Sequence, residues 1–134
     1  MTLNLSNINL NAKTSFFFLT NMIHLLFKTD DIYFYSWCML FMTSIVRHQT
    51  KYHFTLIIDK IMVYNVIFQG GMRYLKFFDY DYNDVVVLIL FMLVIIIYHI
   101  EMNYIKSYNT QISMHCIVHL LASIGHHFII NKLN

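Results

Sequence analysis

Two histidines in the C-terminal part of the chain have the spacing of a metal-binding pair. His115 and His119 are four residues apart, so on a helix their side chains project from the same face, one turn apart. Two imidazoles in this arrangement can bind one metal ion. Because the chain contains eight histidines, one such pair arises easily by chance. The pair therefore indicates a metal site only if other polar residues lie near it.

A second set of polar residues lies nearer the middle of the chain. Ser44 and His48 are four residues apart, and Asp59 follows eleven residues after His48. Asp59 interrupts an apolar stretch, and an ionisable side chain inside a bilayer costs about 2.5–3.5 kcal/mol. We therefore interpret Asp59 as a functional residue. The alternative is an interfacial or tilted helix in which Asp59 reaches water together with Lys60.

The composition shows which elements must position these residues. Of the 134 residues, 58% are hydrophobic, 12% are charged and none is proline, and the mean hydropathy is +0.55. A soluble domain has about 25% charged residues, and a chain this short cannot bury so much apolar surface in one core. We expect a multi-pass integral membrane protein in contact with membrane lipids. The net charge of +2 without a basic run predicts no nucleic-acid partner.

The apolar runs predict an all-α, polytopic transmembrane helical bundle of four spans within residues 31–134. Val- and Ile-rich runs could also form buried strands, but these runs are too long for strands and favour helices. In the N-terminal region, residues 1–30, a shorter apolar segment at 15–27 would be a fifth span or an interfacial helix. The four predicted spans are residues 32–48, 52–68, 85–99 and 114–130.

The order of these spans brings the polar residues to one side of the membrane. The first span ends with His48, and the next begins on the same side with Asp59 about 10 Å inside, at 1.5 Å per residue. The third span returns to that side, so the fourth begins there with His115 and His119 in its first turns. Ser44 lies one turn deeper than His48. We therefore expect these five residues in the same leaflet.

The same residues, in the same order, resemble the signature of the CREST superfamily. The segment Ser44-Ile-Val-Arg-His48, then Asp59, then His115-Cys-Ile-Val-His119 is similar to its S-x3-H, Asp and H-x3-H elements. This superfamily includes the alkaline ceramidases, the progestin and adiponectin receptors and the hemolysin III proteins. Its members have seven spans, so the chain resembles a truncated form that lacks two of the helices between the Asp helix and the final helix.

The resemblance implies a zinc-dependent hydrolase in which His48, His115 and His119 bind Zn²⁺. Asp59 would be the general base, and Ser44 would donate a hydrogen bond to the developing oxyanion or to the bound water. The substrate would be a lipid with an amide or ester bond, as for a ceramidase. The missing helices line the family's lipid pocket, so a homodimer or a larger membrane complex would supply its walls.

Two other functions are compatible with the pattern. A non-catalytic small subunit of an organellar or viral membrane complex would use its histidines to cap helices and to contact lipid phosphates. A bis-histidine haem protein would use His48 with His115 or His119, which leaves Asp59 without a role. The other histidines are expected at segment ends or at the membrane interface: His24, His53, His99, His126 and His127.

Overall fold

The computed structural model describes residues 13–50 and 52–133, apart from the side chains of residues 102 and 108. The described residues form five α-helices and contain no β-strand. The all-α class is therefore confirmed for this part of the chain. In chain order the helices are α1 (Phe17–Leu25), α2 (Asp31–Gln49), α3 (His53–Lys76), α4 (Tyr82–Asn103) and α5 (Tyr108–Asn131).

The four long helices cover the four predicted spans, but each is longer than predicted. The largest difference is in α3, which continues eight residues further, through Gly70 and Gly71, to Lys76. A glycine weakens a helix by about 1 kcal/mol, and tertiary packing can override that cost. At its C-terminal end α4 is four residues longer than predicted and ends at Asn103. Glu101 is therefore part of a helix rather than of a connection.

Aspartate side chains cap the beginnings of α2 and α4. Asp30 accepts a hydrogen bond from the backbone N–H of Tyr33 (3.1 Å). Asp81 accepts one from the N–H of Asp84 (2.9 Å), and the Asp84 carboxylate accepts one in return from the N–H of Asp81 (3.2 Å). These bonds satisfy N–H groups that have no partner within the first turn of a helix. Both helices therefore have well-defined starts.

Short connections make α2 and α3 antiparallel neighbours, and likewise α4 and α5. Helix α2 packs along α3, α4 packs along α5, and α1 lies against both α2 and α5. As a result, the C-terminal ends of α2 and α4 lie at the same end of the bundle as the N-terminal ends of α3 and α5. We call this the His48 end and the opposite one the Arg73 end. The buried apolar core includes Phe18, Leu25, Tyr33, Trp37, Leu40, Ile129 and Ile130.

Ion pairs join the helices at the Arg73 end. The guanidinium of Arg73, on α3, donates hydrogen bonds to both carboxylate oxygens of Asp30, which precedes α2. Lys132, directly after α5, donates to Asp84 (2.6 Å) and to Asp81 (3.1 Å) at the start of α4. The side chains of both cations are only 13% exposed. The side chain of Asp84 is buried and that of Asp30 is 21% exposed, whereas that of Asp81 is 41% exposed.

Two helices are long and apolar enough to cross a membrane. In the described part of the chain they are Tyr82–Glu101 in α4 and Asn109–Asn131 in α5, with 20 and 23 residues. In the most apolar 18 residues of each helix, only 11% are buried inside the chain in α4 and 28% in α5. Their apolar side chains therefore face outward. Helix α1 has nine residues, about 14 Å, and is too short to cross alone.

The pair of Asp30 and Arg73 should make the stability of the bundle sensitive to acid. The hydrogen bond from Arg73 lowers the pKa of Asp30 below its ordinary value of 3.8. The stabilisation is therefore complete above that value and is lost as the pH falls through the lowered pKa. Asp30→Asn keeps a capping oxygen but removes the charge. We expect it to lower the free energy of unfolding by about 2 kcal/mol at neutral pH.

Thermal unfolding in detergent, followed by circular dichroism, measures this effect. The deficit of Asp30→Asn relative to the wild type should shrink once the pH is below 3.8. The exposed neighbour Asp31 provides the control, because Asp31→Asn removes a charge that does not contact Arg73. A deficit of Asp30→Asn that stays the same at every pH would contradict the role of the ion pair.

Gly70 should be required at a close contact of α3. A Cβ atom at this position would lie 2.6 Å from Cε1 of the buried His126 and 3.0 Å from the hydroxyl of the buried Tyr33. A Cβ atom at Gly71 would meet no atom of the described residues within 4 Å. We expect Gly70→Ala to destabilise the fold by about 1–3 kcal/mol through overpacking. Gly71→Ala should stabilise it by up to about 1 kcal/mol. Equal unfolding temperatures would show that α3 does not pack this closely.

Candidate metal centre

Three histidine side chains converge towards the His48 end of the bundle. His48 lies in the last turn of α2, and His115 and His119 lie in the second and third turns of α5. One ring nitrogen from each lies within 4.8 Å of those of the other two. In the described part of the chain, no other group of three His, Cys, Asp or Glu side chains has this spacing. The structure therefore brings together the three residues expected to bind a metal ion.

The three rings are in direct contact. The ring centroids of His115 and His119 are 4.5 Å apart, and those of His48 lie 5.3 Å and 5.8 Å from them, respectively. His119 is only 7% exposed, while the other two rings are half-buried. Water therefore has little access to the nitrogens that face the centre of this cluster.

Two of the rings have hydrogen-bond partners at their Nδ1 atoms, on the side away from the centre of the cluster. Nδ1 of His119 lies 3.1 Å from Oγ1 of Thr14, which precedes α1. Nδ1 of His115 lies 3.1 Å and 3.3 Å from the two carboxylate oxygens of Glu101, in the last turn of α4. Bonds at Nδ1 leave Nε2 as the ligand atom of each ring. Supporting contacts of this kind orient histidine ligands in metal sites.

The remaining ring has a nitrogen that a bound cation would satisfy. Nε2 of His48 is buried and has no hydrogen-bond partner among the described residues. Leaving a buried polar atom unpaired costs about 1–3 kcal/mol, and a cation between the rings would remove that cost. Tetrahedral Zn²⁺ places its nitrogen ligands about 3.3 Å apart, so small side-chain rotations would close the site. Three imidazoles with an open fourth position are the donor set of a catalytic zinc site.

The two predicted catalytic residues, Asp59 and Ser44, lie on α3 and α2, and each is hydrogen-bonded to another side chain. Asp59, in the second turn of α3, is half-buried, accepts a long hydrogen bond from Thr43 (3.4 Å) and interacts electrostatically with His115. Ser44 is 2% exposed, and its hydroxyl is hydrogen-bonded to that of Ser15 (2.9 Å). Asp59 is therefore within electrostatic range of the cluster, whereas Ser44 is a buried hydroxyl in contact with Ser15.

Two residues of the site were not predicted from the sequence. Glu101 lies two residues beyond the predicted end of the third span, and Thr14 is 105 residues away from His119 in the chain. One signal could have drawn attention to Glu101. It is the only glutamate in the chain and the only acidic residue after Asp84.

The remaining histidines on α5 have other partners. His126, expected at the membrane interface, is 5% exposed, because α2 covers it: its Nδ1 is hydrogen-bonded to the Tyr33 hydroxyl, and Trp37 packs edge-on against its ring. His127 pairs with His24 of α1, with 2.9 Å between their Nδ1 atoms. These contacts join α5 to α1 and α2, so we assign them a role in packing.

Comparison with known proteins assigns the chain to no family. A scan against protein-family models found no match, and searches of curated proteins and of solved structures found no similar chain. The geometry of the histidine cluster is therefore the main basis for a functional proposal.

Proposed function

We propose that the chain is an integral membrane, zinc-dependent hydrolase that cleaves an amide or ester bond of a lipid. The observation that carries this proposal is the cluster of three imidazoles within 4.8 Å, one of which has a buried nitrogen without a hydrogen-bond partner among the described residues. The resemblance to the CREST superfamily supports the choice of zinc and of a lipid substrate. The outward-facing apolar residues of α4 and α5 support the membrane setting.

A four-span arrangement would account for the exposed apolar surface. Helices α2 and α3 have 19 and 24 residues, so they are about 29 Å and 36 Å long, close to the roughly 30 Å of a hydrocarbon core. Together with α4 and α5 they would form the four spans. Exposed apolar side chains on α3, such as Phe54, Ile61 and Phe68, would then contact lipid instead of water. The histidine cluster would lie in one leaflet, at the depth of lipid carbonyl groups.

The side chains at the His48 end have complementary roles in hydrolysis. Bound by the three imidazoles, Zn²⁺ would lower the pKa of a coordinated water towards about 7 and polarise the carbonyl group of the substrate. Asp59 and Glu101 are the only acidic residues at this end. Because Glu101 is hydrogen-bonded to His115, Asp59 is the group that accepts the proton of the attacking water and returns it to the leaving group. Ser44 would donate a hydrogen bond to the developing oxyanion.

The contacts within the cluster favour a small ion over haem. A bis-histidine haem requires its two ligand rings on opposite faces of a flat macrocycle, whereas the rings of His48, His115 and His119 contact each other. A non-catalytic membrane subunit would share the apolar outer surface of the bundle but would have no use for the unpartnered nitrogen of His48. Metal content therefore separates this alternative from the proposed enzyme.

Replacing a ligand should remove the metal. His119→Ala deletes the most deeply buried of the three imidazoles, so we expect the zinc content of the purified protein to fall from about one ion per chain to background. Atomic absorption measures this content. His53→Ala changes an exposed histidine at the start of α3 and should retain the wild-type amount. Equal zinc contents in the wild type and in His119→Ala would rule out the cluster as the metal site.

Replacing the proposed base should separate turnover from metal binding. Asp59→Asn should keep its zinc but hydrolyse a fluorescent ceramide or a fluorescent acyl ester about 10²–10⁴-fold more slowly, because the proton acceptor is lost. Asp79→Asn, at an exposed position of the Arg73 end, should keep full activity. An unchanged rate in Asp59→Asn would remove Asp59 from the mechanism, and a loss of zinc would make it a support of the metal site.

A further inference from the structure

Glu101 is a buried carboxylate that the proposed hydrolysis does not use. It is 8% exposed and follows a stretch, residues 85–98, that contains no Asp, Glu, Lys, Arg or His. Burying a carboxylate at the end of such an apolar helix is costly unless a partner compensates for its lost hydration. The fold must therefore supply a partner for it.

His115 is that partner. Its Nδ1 lies within hydrogen-bond distance of both Oε1 and Oε2 of Glu101, and the carboxylate has no other hydrogen-bond partner among the described side chains. When the carboxylate accepts this hydrogen bond, the hydrogen is on Nδ1 of His115. In a neutral ring, Nε2 then keeps its lone pair free. This is the tautomer that a ligand bound through Nε2 requires.

The three ligands differ in how firmly the fold holds them. His119 is buried and packs against Phe18, with ring centroids 4.8 Å apart, so packing restrains its ring. The side chain of His115 is 22% exposed, so packing restrains it less. The Thr14 hydroxyl beside His119 can donate or accept, so this contact by itself selects no tautomer. Glu101 does select one, and it acts on His115, which is more exposed than His119.

Glu101 is not itself part of the ligand group. Its oxygens do not belong to the group of atoms within 4.8 Å of one another, which consists of ring nitrogens of His48, His115 and His119, and its helix, α4, contributes no ligand. We propose that Glu101 is a positioning residue, which holds His115 from behind so that its Nε2 faces His48 and His119. The proposal rests on the proposed function, since it describes how α4 prepares the metal site.

Cobalt binding tests the proposal. Metal-free protein in detergent is titrated with Co²⁺ alone, and the visible absorption of the bound ion gives the Kd. Glu101→Ala should raise the Kd about 10–100-fold, and Glu101→Gln, which keeps an acceptor oxygen but loses the charge, should raise it less. Asn103→Ala changes an exposed residue of the same helical turn and should leave the Kd within about two-fold of the wild type.

A second readout does not depend on metal. In ¹⁵N-histidine spectra of the metal-free protein, the signal that disappears in His115→Gln reports the tautomer of His115. We expect the Nδ1–H form in the wild type and a mixture of tautomers in Glu101→Ala. A purely structural Glu101 would change the unfolding temperature but neither this tautomer nor the cobalt Kd.

The outcomes distinguish failure of the inference from failure of the proposed function. If Glu101→Ala and Glu101→Gln bind cobalt like the wild type, the positioning role is overturned while the metal site stands. If the wild type binds no cobalt, the proposed function fails, and the tautomer of His115 decides alone whether Glu101 holds its ring. If Glu101→Ala does not fold, the Kd and the spectrum of Glu101→Gln give the answer.

Discussion

Three imidazoles packed together inside an apolar bundle impose the constraint on which the rest of the structure depends. Each ring carries two nitrogens that need partners, and most water is excluded. The bundle supplies Thr14 and Glu101 behind two of the rings, while a nitrogen of His48 has no partner among the described residues. A shared cation would satisfy the inner nitrogens of all three rings at once. Because these rings come from α2 and α5, metal binding would also stabilise the packing of the bundle.

Other buried polar groups join pairs of helices at the two ends of the bundle. At the Arg73 end, ion pairs join α3 to the segment before α2 and join the end of α5 to the start of α4. Apolar side chains and single polar contacts, such as that between His126 and Tyr33, fill the middle of the bundle. The ion pairs hold the helices at one end, while the histidine cluster lies at the other. Glu101 belongs to this arrangement because it links α4 to a ligand of α5.

The helices and the meeting of the histidines could be predicted from the sequence, because both follow from simple regularities. Long apolar runs form helices, and short connections alternate their directions, so the end of α2 and the start of α5 lie at one end of the bundle. Helix ends and long-range partners could not be predicted. The apolar run predicts residue 99 as the end of the third span, but the helix continues to Asn103 and brings Glu101 into contact with His115. Likewise, nothing in the spacing around Ser44 reveals that Ser15 is its partner.

X-ray absorption at the zinc edge of the purified protein tests the central claim most directly, since it reads the atoms around the ion. We expect a shell of four nitrogen or oxygen neighbours at about 2.0–2.1 Å, with the multiple scattering of several imidazole rings beyond it. A sulfur neighbour at about 2.3 Å, from Cys38 or Cys116, or a shell without imidazole scattering would contradict the account.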